Sequence, residues 1–246
     1  GYWAWDPVEN ASLVPWLILV AGLHTLLIYK HSGYSLRATY IFFLLGFIFV
    51  WYSTFLTKSG ILGETSVHAF TDTGLNVQLF LCIYVFIWLV PVATAKTFNE
   101  KVMIGLAGAV LGIASYYLSV PGLPMYAVLA GIITMVVYIN KQVPTVKKEE
   151  DVSSREFWMF IGSLVFFLSA LVITVITSLP VFNSLFKLNQ AQPENVEFLY
   201  NQIHVLVAVV IAVLTAVSQY LKYKQTSRTF LFKKLGITTL IVAVIA

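Results

Sequence analysis

The chain has 246 residues, of which 59% are hydrophobic and only 11% charged, and its mean hydropathy is +0.85. A soluble domain carries about a quarter charged residues, so this composition excludes a water-soluble enzyme, a nucleic-acid-binding module and a disordered scaffold. The formal net charge is +4, but in a membrane protein the positions of the cations matter more than their sum.

Hydrophobic segments long enough to cross a bilayer recur along the whole chain. A transmembrane helix needs about 20 mainly apolar residues, and the sequence predicts seven such segments and the beginning of an eighth near Phe230. The seven are residues 11–29, 38–55, 75–95, 101–118, 125–139, 157–179 and 203–221. The predicted fold class is therefore an all-α, polytopic transmembrane helical protein, with one membrane region over residues 1–246.

The two ends of the chain suggest that the sequence is not complete. It opens with Gly1 rather than an initiator methionine, and it closes inside a hydrophobic stretch. We therefore expect an excerpt of a longer protein, in which the eighth span is truncated. The lone Cys82 lies in an apolar segment and has no partner for a disulfide, so we expect it to pack rather than react.

Positive charge is distributed very unevenly over the predicted loops. Every Lys and Arg except Lys58 and Lys187 falls on one side of the membrane. Because cytoplasmic loops collect basic residues, residues 140–156 are predicted to be a cytoplasmic linker. The segment 1–10 and the loops 57–74 and 180–200 are predicted to face outward, toward the periplasm of a bacterium, from the inner membrane.

The N-terminal segment combines a helix start with three aromatic rings. Asp6 suits the N-cap, Pro7 the first helical position and Glu9 the third, so the sequence predicts a capping box. The three aromatic residues precede it directly; they are Tyr2, Trp3 and Trp5. Two interpretations are open, since such rings can anchor a protein at the membrane interface or form a flat platform for a porphyrin. The helix N-terminus would favour an anion such as a propionate.

Four histidines are candidates for metal binding. His24 lies within the first span, where a histidine either ligates a haem iron or bonds a neighbouring helix. His68 has apolar neighbours in an outer loop, which suggests that this loop packs on the membrane or on a ligand; Lys58 in the same loop would suit an acidic partner. We expect His204 to be an interfacial ring rather than a ligand, and His31 to lie on the surface.

Two blocks of sequence resemble a known family. Residues 3–12 read WAWDPVENAS, the second half of the motif W-G-x-x-W-x-W-D-P-V-E-N-A-S, and residues 54–62 and 65–70 read TFLTKSGIL and TSVHAF. They resemble the cytochrome c maturation protein CcmF, a haem-lyase subunit, and its close relative NrfE. The resemblance is strong over residues 1–80, with weaker similarity near Pro180 and Tyr200-Asn201. It implies no ligand at His204.

The resemblance implies a role for particular residues. His24 would bind the iron of an internal haem b, and His68 would bind the iron of an incoming substrate haem. Lys58 would lie near a propionate, although the family has an arginine there, so a bidentate contact would become a point charge. Gly63-Glu64 is an insertion that would move His68. The haem-handling segment contributes its aromatic floor and its capping residue; these are Tyr2, Trp3, Trp5 and Asp6.

The implied function is haem attachment to the thiols of an apocytochrome c with a C-x-x-C-H motif, assisted by haem-delivering and thiol-reducing maturation proteins. The second ligand of the haem that His24 binds is expected after residue 246. A first outer histidine is expected before residue 1. No residue is predicted to be a catalytic acid, base or nucleophile, so the protein would position haem and control its redox state. The alternatives are a haem relay without attachment activity and a noncatalytic scaffold. Membrane lipid is an expected partner and nucleic acid is not.

Overall fold

The computed structural model describes residues 3–63, 65–66, 68, 74–144, 151–191 and 193–245, and its regular elements over these ranges are nine helices without a strand. The helices are α1 (Pro7–Ser32), α2 (Leu36–Lys58), α3 (Asn76–Thr94), α4 (Phe98–Tyr117), α5 (Leu123–Gln142), α6 (Arg155–Thr177), α7 (Leu179–Phe186), α8 (Val196–Ser218) and α9 (Arg228–Ile245). The predicted all-α class is confirmed.

Seven of these helices, α1 to α6 and α8, are long and apolar enough to cross a membrane. Each corresponds to one of the seven predicted spans, so the chain is a polytopic helical membrane protein. The segment predicted to begin near Phe230 is α9, which begins at Arg228.

Helix α1 is the centre of the bundle, packed between α2 and α6. Its residues Ile18 and Ala21 are fully buried. Glycine allows the close approach to α2, because a Cβ added at Gly46 would lie 2.9 Å from Leu19 Cδ2. Packing of small residues against apolar ones is how helices associate where lipid removes the hydrophobic driving force.

A second group of helices, α3, α4 and α5, packs around Trp88. Glycines of α4 and α5 approach the indole from two sides: an added Cβ would lie 2.8 Å from the ring at Gly108 and 2.9 Å from Nε1 at Gly131. The hydroxyl of Tyr84 donates to the carbonyl of Gly108 over 2.7 Å. Close packing of these three helices therefore depends on the absence of a side chain at Gly108 and Gly131.

The outer loop predicted over residues 180–200 is largely helical, and that prediction is corrected. Helix α7 occupies its first part, and α8 begins at Val196 rather than near residue 203. The early start of α8 escaped a search for apolar segments because its first turns are polar, and Asn195 caps it by accepting from the Phe198 amide at 2.8 Å. These added turns of α8 lie at the end of the bundle that carries the N-terminal segment, which we call its outer end, the opposite end being the inner one. This outer extension of α8 carries Tyr200 and His204.

Two further expectations need adjustment. Cys82 is exposed on α3, so it does not pack inside the bundle. The helices α5 and α6 extend into the predicted 140–156 linker, which leaves 143–154 between them, and residues 145–150 lie outside the described part of the chain.

The inner end of α8 is fixed by the start of α6. The Glu156 carboxylate is buried, and both of its oxygens accept from the Lys224 amide at 2.9 Å. The Arg155 guanidinium donates to the carbonyls of Ser218 and Gln219 at 3.2 and 2.9 Å. The Arg155 bonds satisfy carbonyl groups at the end of α8, which otherwise lack intrahelical partners. The Glu156 bonds hold the segment that follows α8, and together they keep α8 beside the bundle.

The packing of α4 on Trp88 can be tested with two alanine substitutions on the same helix. Gly108→Ala places a methyl group against the indole, and overpacking of this kind costs about 1–3 kcal/mol. Gly105→Ala meets nothing within 4 Å and gains helix propensity. We expect Gly108→Ala to lower the thermal midpoint in detergent by roughly 2–10 °C and Gly105→Ala to leave it unchanged or higher, as followed by circular dichroism. Equal shifts for both variants would contradict this packing.

Candidate functional site

The Asp6 carboxylate caps the N-terminus of α1. It accepts a hydrogen bond from the Val8 amide at 2.9 Å, and Glu9 accepts from the Asp6 amide at 3.4 Å, which completes the predicted capping box. Pro7 occupies the first turn, where its missing N–H costs nothing. The negative charge also favours the positive end of the helix dipole. The helix therefore begins where the sequence indicates.

The same carboxylate holds the outer loop that follows α2. Ser66 Oγ lies 2.7 and 2.8 Å from the two Asp6 oxygens, and the His68 amide donates to Ser66 Oγ at 3.1 Å. The His68 imidazole Nδ1 lies 3.5 Å from Asp6 Oδ1, and its side chain is 62% exposed. At this length the imidazole–carboxylate contact is mainly electrostatic. It orients His68 with Nε2 away from the carboxylate.

Trp5 turns the chain just before the helix. Its φ is 59°, in the left-handed region that a bulky residue rarely adopts, at a cost of order 1–3 kcal/mol. The buried Asn10 supports this turn because its Nδ2 donates to the Trp5 carbonyl at 3.0 Å. Trp3 packs edge-on against Trp5, with ring centroids 6.3 Å apart. The turn sends the Trp5 ring away from α1.

The Trp5 ring lies against the outer extension of α8. It is stacked on Tyr200 with centroids 4.8 Å apart and an interplanar angle of 12°, and its centroid lies 4.6 Å from that of His204. The indole Nε1 donates to Asn201 Oδ1 at 2.8 Å. Tyr200 is itself fixed, because it is 1% exposed and its hydroxyl lies 2.9 Å from Thr177 Oγ1 on α6. An aromatic cluster thus joins the N-terminal segment to α8.

His204 has one nitrogen paired and one not. Nδ1 lies 2.9 Å from the Tyr200 carbonyl oxygen, and because a carbonyl can only accept, Nδ1 carries the proton in that bond. Nε2 is screened from solvent, and no described residue gives it a hydrogen-bond partner. Leaving such a buried atom unpaired costs about 1–3 kcal/mol, so its environment calls for an explanation.

His24 lies far from this cluster, in the inner half of α1. Its Nδ1 lies 2.8 Å from the carbonyl oxygen of Val20, and its half-buried ring is 5.9 Å from that of Phe166 on α6. The carbonyl fixes the proton on Nδ1, which leaves the lone pair on Nε2. This is the tautomer that metal-bound histidines commonly have, with the second nitrogen held by a backbone oxygen.

The structure brings part of the predicted site together. Trp3, Trp5, Asp6 and His68 form one outer cluster, and Lys58 is the last residue of α2, where the His68 loop begins. His24 is separate, and Tyr2 lies outside the described residues. The sequence prediction missed that Tyr200, Asn201 and His204 belong to the cluster. The available signal was the weak similarity near Tyr200-Asn201.

The donors of this cluster fit haem better than a bare metal ion. Across the part of the chain that the structure describes, no three His, Cys, Asp or Glu side chains form a group that could hold an ion. A porphyrin supplies four nitrogens itself and needs only one or two protein ligands. The His68 imidazole beside the indoles of Trp3 and Trp5 meets that need.

The main apolar cavity lies elsewhere. It has a volume of about 670 Å³ and lies between α3 and α4, where its walls include Phe80, Trp88 and Tyr116. Among the residues that the structure describes, no histidine or charged side chain lines it. It therefore offers no iron ligand, and the outer cluster is the better candidate site.

Comparison with known proteins finds relatives of the N-terminal part of the chain. Residues 1–62 match the family model described as "Cytochrome C assembly protein". NrfE of Haemophilus influenzae is 45% identical over 84 residues, CycK of Bradyrhizobium diazoefficiens 43% over 88 and CcmF of Pseudomonas aeruginosa 40% over 88; each is named a cytochrome c-type biogenesis protein. No solved structure matches the chain.

These matches confirm the resemblance seen in the sequence. They cover 34–35% of this chain and 13% of each relative, so only a small part of the relatives' length is represented. The N-terminal part of the chain is thus related to the cytochrome c-type biogenesis proteins. The matched residues 1–62 include the capping box and His24, whereas His68 lies after them and the α8 side of the outer cluster lies much farther along the chain.

The two roles of Asp6 can be separated by substitution. Asp6→Ala removes both the cap and the contacts with Ser66 and His68, whereas Asp6→Asn keeps a good N-cap and removes the charge. Loss of the cap costs about 1 kcal/mol, so Asp6→Ala should speed amide exchange in the first turn of α1 about fivefold. Asp6→Asn should leave that turn protected and speed exchange only around residues 65–68. Hydrogen exchange read by mass spectrometry distinguishes these patterns.

If the asparagine variant loosened the first turn of α1 as much as the alanine variant, the cap would not be the cause. If residues 65–68 exchanged at the wild-type rate in both variants, Asp6 would not hold the loop.

Proposed function

We propose, from the relationship of its N-terminal part to the cytochrome c-type biogenesis proteins, that this chain is part of a haem lyase. It would bind haem at the periplasmic face of the bacterial inner membrane and help to join it to the thiols of an apocytochrome c. The observation that supports this most directly is the contact of Asp6 with His68. In that contact the His68 imidazole, 62% exposed, lies against the residue that caps the tryptophan-rich segment.

Each residue of the outer cluster would have a physical role toward the substrate haem. His68 would bind the iron through Nε2, since Asp6 faces Nδ1. Trp3 and Trp5, with Tyr2 before them, would provide an apolar floor for the ring. The Lys58 ammonium would favour a propionate. Carboxylate-to-histidine contacts also raise the basicity of a metal-bound imidazole.

The attachment reaction itself asks little of the protein's acids and bases. Each thiol of the C-x-x-C-H motif adds across a haem vinyl group: sulfur bonds to one carbon and the thiol hydrogen ends on the other, without net oxidation or reduction. The vinyl groups and thiols must be held together in the correct orientation, and such positioning can lower the barrier substantially. No described residue of the cluster is required as a nucleophile.

His24 would hold an internal haem b, whose chemistry is one-electron transfer. In that role the protein would keep the substrate iron ferrous. The Nδ1 contact with the Val20 carbonyl presents Nε2 as the ligand, and the inner position on α1 separates this haem from the outer cluster. Two histidines at opposite ends of the bundle would thus serve two haems.

The two haem assignments predict different spectra for different variants. The wild-type protein, produced in its host and purified in detergent, should give a b-type reduced-minus-oxidised spectrum. His24→Ala should abolish that spectrum and His68→Ala should leave it, because only His24 would hold the resident haem. His31→Ala is the matched control, since His31 is exposed near the inner end of the same helix, and it should behave as wild type. A wild type without haem, although haem was supplied, would favour the scaffold alternative.

Haem attachment is tested by supplying an apocytochrome with one C-x-x-C-H motif and the maturation partners of the host. The expected product carries haem that remains bound after acid–acetone extraction, and His68→Ala should reduce its yield at least tenfold. If haem were loaded but fully extractable, the relay alternative would replace the lyase.

A further inference from the structure

The apolar cavity between α3 and α4 is a groove that the proposed function does not use. Its volume is about 670 Å³, and its two long walls are membrane-spanning helices. It opens to the outside of the bundle, since Leu89 on α3 and Ile113 on α4 are 56% and 60% exposed. Its floor on α4 includes Gly105, where an added Cβ would meet nothing within 4 Å. The groove therefore faces the region that the hydrocarbon of a bilayer would occupy.

The groove has the dimensions of a hydrocarbon chain rather than those of a helix. Its wall on α3 extends from Val77 to Val92, which is about 22 Å at a helical rise of about 1.5 Å per residue. Spread over that length, the volume corresponds to a cross-section of about 30 Å². A helix with side chains, about 10 Å across, needs roughly 80 Å². An extended alkyl chain, whose carbons contact their neighbours at about 4 Å, needs roughly 20 Å².

The two ends of the groove differ in polarity. Its outer end is lined by Asn76 at the start of α3 and by Ser115 and Tyr116 at the end of α4. Its inner end is lined by apolar residues, among them Val92 and Gly105. The wall on α3 is also longer than the roughly 15 Å of hydrocarbon in one leaflet. This arrangement suits an amphiphile whose apolar tail points inward and whose polar group stays at the outer end.

A cation lies near the outer end of the groove. Leu185 of α7 lines the groove, and the exposed Lys187 follows it by two residues. Lys187 is the second of the two cations that the charge pattern places on the outer side, and haem binding gives it no role. A cation also suits the C-terminus of α7, but that does not account for the apolar groove beside it. Basic residues next to intramembrane pockets bind anionic lipid headgroups, through charge-assisted contacts with the phosphate.

We propose that this groove binds one anionic phospholipid of the surrounding membrane. An acyl chain lies between α3 and α4, and the phosphate lies near Lys187. The site is separate from the outer cluster around Asp6 and His68, so it goes beyond the proposed function and does not depend on haem. The bound chain fills the space beside the ring-on-glycine contact of Trp88 with Gly108.

The test counts bound lipids on the full chain by native mass spectrometry. The protein is purified from its host, washed in detergent and titrated with dioleoyl phosphatidylglycerol or dioleoyl phosphatidylcholine. The wild type should retain one lipid and prefer phosphatidylglycerol about fivefold. Gly105→Phe places a ring in the groove and should weaken the binding of both lipids about tenfold. Gly162→Phe on α6 is the matched control, because an added Cβ there also meets nothing within 4 Å, and it should bind lipid as the wild type does.

The headgroup is tested by Lys187→Gly. Lys187 is the C-cap of α7 with a φ of 55°, a conformation that glycine adopts readily, so this change removes the ammonium without straining the cap. It should abolish the preference for phosphatidylglycerol and leave the affinity for phosphatidylcholine unchanged. A preference that persisted in Lys187→Gly would overturn the placement of the phosphate.

The position of the chain is tested with a phospholipid that carries a diazirine on its acyl chain. Photolysis should label peptides of α3 and α4 in the wild type, and Ala109→Phe, one turn from Gly105 on the same wall, should reduce this labelling. Circular dichroism checks that each variant keeps its helical content. The inference would be overturned by unchanged lipid binding in folded Gly105→Phe, by an equal loss in Gly162→Phe, or by labelling confined to other helices. Retention of a different apolar molecule in the groove would overturn it as well.

Discussion

The outer face of this protein depends on the contacts that the Asp6 carboxylate makes. It ends the irregular N-terminal segment by capping α1, and the same two oxygens hold Ser66 and face His68. One carboxylate therefore sets where the central helix begins and where the loop that follows α2 lies. Because α1 packs between α2 and α6, this anchor is rigidly connected to the rest of the bundle.

The strained backbone of Trp5 connects the N-terminal segment to a second element, α8. With φ at 59°, the chain turns its indole toward α8, where Tyr200 and Asn201 receive it. The inner end of α8 is bound to α6 through Arg155, and the segment after α8 is bound through Glu156, so α8 is held at both ends. Backbone strain is retained where the surrounding structure compensates it, and it concentrates at functional sites.

Sequence reasoning reached the local features and missed the long-range ones. The spans followed from hydropathy, and the capping box followed from the order of Asp6, Pro7 and Glu9, because both depend on neighbouring residues. The family resemblance also lay in contiguous blocks. The contact between Trp5 and α8 joins residues almost 200 positions apart, and polar residues at the start of α8 hid its first turns from a hydropathy search. The roles of His24, His68 and Lys58 toward haem stay predictions.

The joining of the N-terminal segment to α8 is tested most directly by cross-linking the two. In a Cys82→Ser background, the pair Ala4→Cys and Glu197→Cys should be joined efficiently by a short bismaleimide, because Trp5 bonds Asn201, one turn further along the same face of α8. A pair at Ala4 and Phe98, which lies at the opposite, inner end of the bundle, should not be joined. Efficient cross-linking of the first pair alone, with protection when haemin is bound, is the predicted result. Absence of the cross-link between positions 4 and 197 in folded protein would contradict a cluster shared between the N-terminal segment and α8.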